Sequence, residues 1–391
     1  MLTVAEKYID KITEAIYLIL KGDIPPLIVL PDDFPDNEIS QMTGYLNQFI
    51  TEYAKFSEFM YSIARGELDY QPPKGKMKVV QSFKSLQSNL RHLTWKTQEI
   101  AKGDFSQKVD FMGDFSKAFN QMTQQLKDTF LEIEQKNKDI TASIAYAKRI
   151  QEALLPQKER IQSALPESFI LFKPRDIVSG DFYWFDQKDE KIFIAAADCT
   201  GHGVPGAFMS MLGISFLNEI LNGKVLYQPD KMLNALNSNI FRALKQEKTH
   251  NKDGMDIALC MIDNQQKRVE FAGANNFLIV IQDDNLHEIK GDRLSIGGRR
   301  RRLKENLFTL HSHSYDISQK TRCYMSSDGY SDQFGGDSSK KFTRKRLKQL
   351  FRTIHKEPMK NQEEILEQNL KAWMKDEKQV DDILVVGFEI G

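Results

Sequence analysis

Ser179-Gly-Asp-Phe-Tyr-Trp-Phe-Asp186, followed closely by Ile192-Phe-Ile-Ala-Ala-Ala-Asp-Cys-Thr-Gly-His-Gly203, is the stretch whose reading decides the fold. Two carboxylates, Asp181 and Asp198, stand at the ends of short β-type runs, and the second meets a glycine-rich turn just ahead of a helical pattern. Carboxylates in such places cost free energy unless a cation compensates them.

Downstream of Pro166 the chain reads as short apolar runs bounded by turn residues, which predicts strands at 169–172, 192–197, 257–262, 269–272, 277–281 and 383–388. Helical spacing is confined there to 207–221, 231–244 and 362–374. Strands grouped around a helical pair predict an α+β sandwich rather than an alternating parallel sheet. Two further acids sit at edges of strand-like runs: Asp328 in Tyr324-Met-Ser-Ser-Asp-Gly329 and Asp381 in Val380-Asp-Asp-Ile383. Taken singly, each is an ordinary strand-end or turn aspartate. Converging, they would repel one another and raise their pKa values. Such an oxygen-only donor set suits Mg²⁺ or Mn²⁺ rather than zinc.

Upstream, the pattern is helical as far as about residue 155, with apolar residues three and four apart at Ile9, Ile12, Ile16 and Ile19 and at Phe56, Met60, Ile63 and Leu68. A phrase recurs in Ile19-Leu-Lys-Gly-Asp-Ile24, Ile63-Ala-Arg-Gly-Glu-Leu68 and Ile100-Ala-Lys-Gly-Asp-Phe105, with its glycines 44 and 37 residues apart. Each glycine falls where a helix should stop. An extended connector follows, such as Pro25-Pro26-Leu27-Ile28-Val29-Leu30-Pro31, and then helices at 38–49, 79–93 and 115–126.

This unit resembles the HAMP signal-transducing module, and Ala118-Phe-Asn-Gln-Met122 is similar to a segment of its second helix. The resemblance is greatest in the third unit, and it implies a homodimer through the N-terminal helices. Plain helical hairpins of a bundle would leave the same pattern. Residues 122–155 continue as helix without proline or glycine until Pro156, either as a coiled-coil rod or as a solvated linker, since Lys136 to Asp139 interrupts the apolar seam. The expected domains are therefore 1–125, 126–156 and 157–391.

Composition narrows the class. Lysine plus arginine equals aspartate plus glutamate at 54 each, so net charge favours no nucleic-acid partner. No signal-peptide pattern opens the chain, and the longest early apolar run, 15–20, is too short to span a bilayer; a cytoplasmic protein without a membrane span is expected. Cys199, Cys260 and Cys323 are widely separated, as suits reduced thiols, and none begins a C-x5-R phosphatase loop.

Ala147-Lys-Arg-Ile-Gln-Glu-Ala-Leu-Leu-Pro156, Lys173-Pro-Arg-Asp-Ile-Val-Ser-Gly-Asp-Phe-Tyr183, Ala197-Asp-Cys-Thr-Gly-His-Gly-Val-Pro-Gly-Ala-Phe-Met209, Phe271-Ala-Gly-Ala-Asn275, Ser327-Asp-Gly329 and Val380-Asp-Asp382 together resemble the SpoIIE/RsbU branch of the PPM (PP2C-like) serine/threonine phosphatases. The resemblance implies an α-β-β-α sandwich behind an all-α input region, two divalent cations (Mn²⁺ or Mg²⁺), and bacterial signalling. It implies that Asp198 bridges the cations, that the Cys199 backbone carbonyl adds a ligand, that Asp328 and Asp381 serve the second cation with Asp382 beside them, and that Asp181 serves the other. Asp198 and Asp328 are thus the catalytic acids, and Arg175 stands near the family's phosphate-binding arginine.

His202 lies two positions beyond the register of the family's histidine, which favours a structural role in the turn. Asn275 is neutral where some members carry an acid for a third cation. The run Arg299-Arg-Arg-Arg302 reads as a solvated loop or as a grip on an acidic partner. The implied substrate is a phosphorylated protein such as a STAS-domain anti-sigma-factor antagonist. Two other readings are a catalytically weak phosphoprotein-binding module on the same fold and a metal-dependent nucleotide cyclase, which the order of the motifs disfavours.

Overall fold

The computed structural model describes residues 2–74, 78–223, 227–298 and 309–391. The chain divides into two compact units, Met1–Lys136 and Asn137–Gly391. The arginine run at 299–302 lies outside the described residues.

The first unit is built from α1 (Leu2–Lys21), α2 (Glu38–Ala64), α3 (Lys78–Ala101) and the start of α4 (Asp114–Leu154). Helices α2 and α3 are longer than the spacing predicts, because each runs on to the glycine of the next phrase, and α4 continues through the connecting segment to Leu154. Gly22, Gly66 and Gly103 have φ of 90°, 82° and 98°, a region glycine enters without a Cβ penalty. All three stop their helices in the same way. The glycine N–H donates to the carbonyl three residues back, as from Gly103 to Ile100 at 2.9 Å, and the next N–H donates five back, as from Asp104 to Glu99 at 3.0 Å.

A side-chain amide then holds each connector. Asn47 accepts from the Ile28 N–H and donates to the Ile28 carbonyl, both at 2.8 Å. Asn120 does the same for Val109 at 2.9 and 2.7 Å. Gln87 donates to the Leu68 and Tyr70 carbonyls. The clamped apolar residue is driven inward: Ile28 packs with Tyr8, Ile12 and Ile50, and Val109 with Ile100 and Phe119.

The second unit runs, after the end of α4, through α5 (Lys158–Ala164), β1 (Ser168–Lys173), β2 (Phe182–Lys188), β3 (Lys191–Cys199), α6 (Gly203–Asn222), α7 (Pro229–Ala243), β4 (Gly254–Asp263), β5 (Arg268–Ala274), β6 (Phe277–Gln282), β7 (Asn285–Lys290), β8 (Ile296–Gly297), β9 (His313–Asp316), β10 (Thr321–Ser326), α8 (Gly329–Asp332), β11 (Phe334–Gly335), β12 (Lys340–Lys341), α9 (Arg344–Ile354), α10 (Met359–Met374) and β13 (Ile383–Ile390). One large sheet has the order β1-β13-β10-β6-β7; the other is β2-β3-β4-β5-β9, with β8 added to β4, and β11 and β12 pair as a separate two-stranded sheet. Their ladders are antiparallel.

Period-2 alternation sorts β1, β13, β10 and β6 between two cores. On β13, Leu384, Val386 and Phe388 enter the core shared with the other sheet, while Ile383 and Val385 face the core formed with α9 and α10. Helices α6 and α7 supply Ile214, Leu217, Leu233 and Leu236 to the first core. The result is the α-β-β-α sandwich. Among the described residues one helix, Gly203–Asn222, is long and apolar enough to cross a membrane. It is α6, whose Ala207, Ile214, Leu217 and Leu221 are buried in this core.

Candidate active site

Strand register brings the first acids together. Phe182 pairs with Ala197, so Asp181, one residue earlier, comes opposite Asp198, and Asp198 itself pairs with Asp256 on β4. Three carboxylates thus stand side by side across three neighbouring strands, an arrangement that is unfavourable for like charges. The second sheet contributes from the matching ends of its strands: Asp328 follows β10 and Asp381 precedes β13.

Close backbone approach welds these pieces. A Cβ on Gly180 would collide with the carbonyl oxygen of Gly201, and one on Gly329 with the carbonyl oxygen of Asp382. Asp382, 2 % exposed, staples the two sheets: its Oδ1 accepts from the Arg175 N–H and its Oδ2 from the Gly180 N–H, each at 2.7 Å. Asp381 turns its Oδ1 to the Asp382 N–H at 2.9 Å.

The acids raise one another's proton affinity. Burial, then the charges of Asp328, Asp381 and Asp256, pushes Asp198 up to about 8. Burial and then Asp198 lift Asp181 well above the ordinary carboxylate range, and burial, followed by Asp332 and Asp381, raises Asp328. The Asp328 backbone partly offsets the rise at Asp198, and Asp198 partly offsets the rise at Asp328. Asp181 Oδ2 is buried and has no hydrogen-bond partner. An orphaned buried carboxylate oxygen in an all-oxygen surround fits a hard divalent cation. Among the described residues no three His, Cys, Asp or Glu side chains are gathered into a ready-made cage. Side-chain pairs, a backbone carbonyl and water match the way such ions are held.

A cleft of ≈160 Å³ opens beside these acids, lined by Asp198, Asp256, Asn275, Phe277, Asp328 and Arg344 among others. Asp256 escaped the sequence reading, which begins that strand one residue later. It supplies a carboxylate next to the neutral Asn275, which donates to it at 3.3 Å, and Ser295 Oγ donates to it at 2.6 Å. Helix α9, which bears Arg344, also went unread, because only Leu347, Phe351 and Ile354 of its basic sequence are buried. Arg175 is not in the lining; its guanidinium donates to the Val380 carbonyl at 3.0 Å. His202 precedes α6 and turns Nδ1 to Asp176 Oδ2 at 2.8 Å, in keeping with a role in the turn.

The family model described as stage II sporulation protein E (SpoIIE) matches residues 188–391, and the HAMP domain model matches 83–128. No curated protein matches. Among solved structures the chain is similar to the SiaA-PP2C domain of Pseudomonas aeruginosa, with 30% identity over 66% of this chain and 99% of that one and a TM-score of 0.59. The PP2C phosphatase domain with a fragment of the regulatory domain of SpoIIE from Bacillus subtilis follows at 16% identity, covering 57% and 62%, TM-score 0.46. The RsbU and RsbW domains of a Mycobacterium tuberculosis protein follow at 12%, covering 57% and 60%, TM-score 0.45. With its carboxylates gathered at the strand ends of an α-β-β-α sandwich and a HAMP domain ahead of it, the chain belongs to the SpoIIE family of PP2C-type proteins.

Proposed function

We propose that this protein is a metal-dependent phosphoserine/phosphothreonine protein phosphatase, regulated by its N-terminal helical region. The observation that carries this reading is the strand register that sets Asp181 opposite Asp198, with Asp181 Oδ2 buried and unpartnered and the Asp198 carboxyl raised to about 8. Asp181, Asp198, the Cys199 carbonyl, Asp328 and Asp381 would hold two divalent cations, Mn²⁺ or Mg²⁺. When bound, such cations supply a water acidified toward neutral pH and positive charge against the phosphoryl oxygens.

The chain's own part is positional. The strand ends hold the carboxylates in place while water attacks phosphorus in line. Burial, and then Asp181, raises the Cys199 thiol well above its ordinary value, so it is no thiolate nucleophile.

The substrate we propose is a small phosphorylated regulator, such as a STAS-domain anti-sigma-factor antagonist. The three glycine-stopped, amide-clamped units of the N-terminal region support a HAMP-like input of three modules, with 126–156 as the connecting helix and 157–391 as the phosphatase domain. Ile140, Tyr146 and Ile150 on α4 stay exposed in the single chain, as a helix meant to pair with a second copy would leave them. The test is steady-state turnover of a phosphoserine peptide with Mn²⁺. Hydrolysis that EDTA and Asp198→Asn both abolish is the expected result. Mn²⁺ and phosphopeptide binding without turnover would leave the binding-module reading in its place. Comparing residues 145–391 with the full chain then gives the sign of the N-terminal control.

A further inference from the structure

We infer that Arg344 is the residue that takes hold of the substrate's phosphoryl oxygens; the inference rests on the phosphatase reading above. A phosphate ester entering this cleft meets Asp198, Asp256 and Asp328, all of which repel it. Among the described lining residues Arg344, the first residue of α9, is the one cationic side chain.

Its guanidinium is held ready. The central carbon lies 3.3 Å from the centroid of the Phe277 ring, and Phe277 itself lines the cleft. Stacking on a ring fixes the plane of the fork while leaving its edges free for hydrogen bonds. Arg344 Nη2 is 3.3 Å from Glu288 Oε1, a carboxylate also shared with Lys348 Nζ at 3.1 Å. One edge is thus anchored, and a guanidinium has five N–H donors, enough for a second, two-point contact to a phosphate. Arg175 is placed differently: it does not line this cleft, and its guanidinium donates to the Val380 carbonyl.

Contact with the phosphoryl group itself, rather than with the rest of the substrate, gives a distinct signature. Arg344→Ala should lower kcat/KM about 10–100-fold on a phosphoserine peptide and on para-nitrophenyl phosphate alike, the range for a lost charge-assisted hydrogen bond. It should weaken inhibition by inorganic phosphate by a similar factor and leave the Mn²⁺ concentration for half-activation unchanged. Arg344→Lys, which keeps the charge and loses the fork, should fall between. Glu288→Gln, which frees the guanidinium from its counter-ion, should tighten phosphate two- to threefold, a change in the opposite direction that a purely structural role for the pair would not produce.

Wild-type kcat/KM and phosphate inhibition in Arg344→Ala would overturn the assignment, as would a larger loss in Arg175→Ala than in Arg344→Ala. Should the wild type hydrolyse neither substrate, the phosphatase reading fails separately. Arg344 is then judged by calorimetric titration of inorganic phosphate into the Mn²⁺-loaded protein. Binding weakened tenfold or more by Arg344→Ala supports it; equal affinities, or no phosphate binding by the wild type, overturn it.

Discussion

The side-chain amide of Gln151 holds both backbone polar groups of Ser179: its Nε2 donates to the Ser179 carbonyl at 2.6 Å, and its Oε1 accepts from the Ser179 N–H at 3.1 Å. The same Nε2 donates to Ser210 Oγ of α6 at 2.7 Å. Gln151 is 4 % exposed and lies in the last turn of α4, whereas Ser179 stands two residues before Asp181. Any slide or rotation of that last turn would strip partners from buried groups, at about 1–3 kcal/mol each. The end of the connecting helix and the first carboxylate are therefore mechanically linked.

Replacing Gln151 with Leu keeps the bulk and removes the link. The expected effect is a tenfold or greater rise in the Mn²⁺ concentration needed for half-maximal turnover, with the far-ultraviolet circular dichroism unchanged. An unaltered Mn²⁺ dependence would show that the amide does not govern the Asp181 strand.

The metal-free protein should become less stable as pH rises. The Asp198 carboxyl is raised in the folded state to about 8 from an ordinary value of 3.8, so the fold binds more protons than the unfolded chain between those values. The associated stability is fully present below the unfolded pKa and is lost as pH climbs through the folded one. In EDTA the melting temperature is expected to fall by on the order of 5 °C between pH 5.5 and pH 8, and saturating Mn²⁺ should erase the difference. A flat profile in EDTA would contradict the shift.

Asp256→Asn removes one of the like charges opposing Asp198 while keeping the shape of the side chain. In EDTA at pH 8 it should raise the melting temperature by roughly 2–4 °C, corresponding to about 1 kcal/mol for a domain of this size. A lowered melting temperature would mean that its bonds to Ser295 and Asn275 outweigh the repulsion.

In the N-terminal unit, Asn120→Ala would leave the Val109 N–H and carbonyl without their side-chain partner. A loss of about 1–3 kcal/mol is expected in the unfolding of that unit, measured by urea titration of helix content, and Asn120→Asp, which keeps the acceptor and loses the donor, should lie between. Equal stability of all three proteins would remove the clamp from the account.

Local chemistry made much of this legible. The glycines of the three repeated phrases announce helix ends because only glycine takes positive φ cheaply, and each does so here. The strand runs at 257–262 and 383–388 announce a doubly covered sheet because both of their faces are apolar. What escaped lies in pairings between distant parts of the chain. Asn47 and Asn120 look like ordinary polar residues of a helix face until the connectors 19 and 11 residues away fold back onto them.

Asp181, Asp198, Asp328 and Asp381 could be nominated from the sequence because a carboxylate at the edge of an apolar run is conspicuous in one dimension. That Asp198 faces both Asp181 and Asp256 is a matter of antiparallel register, set by packing between two sheets rather than by any local pattern. The same holds for Arg344, whose place over Phe277 depends on how α9 docks against the second sheet. The chain by itself determined which residues carry the charge. Only the tertiary structure decided which of those charges share a cleft, because distances between remote segments are fixed by the burial of the apolar faces that bring them together.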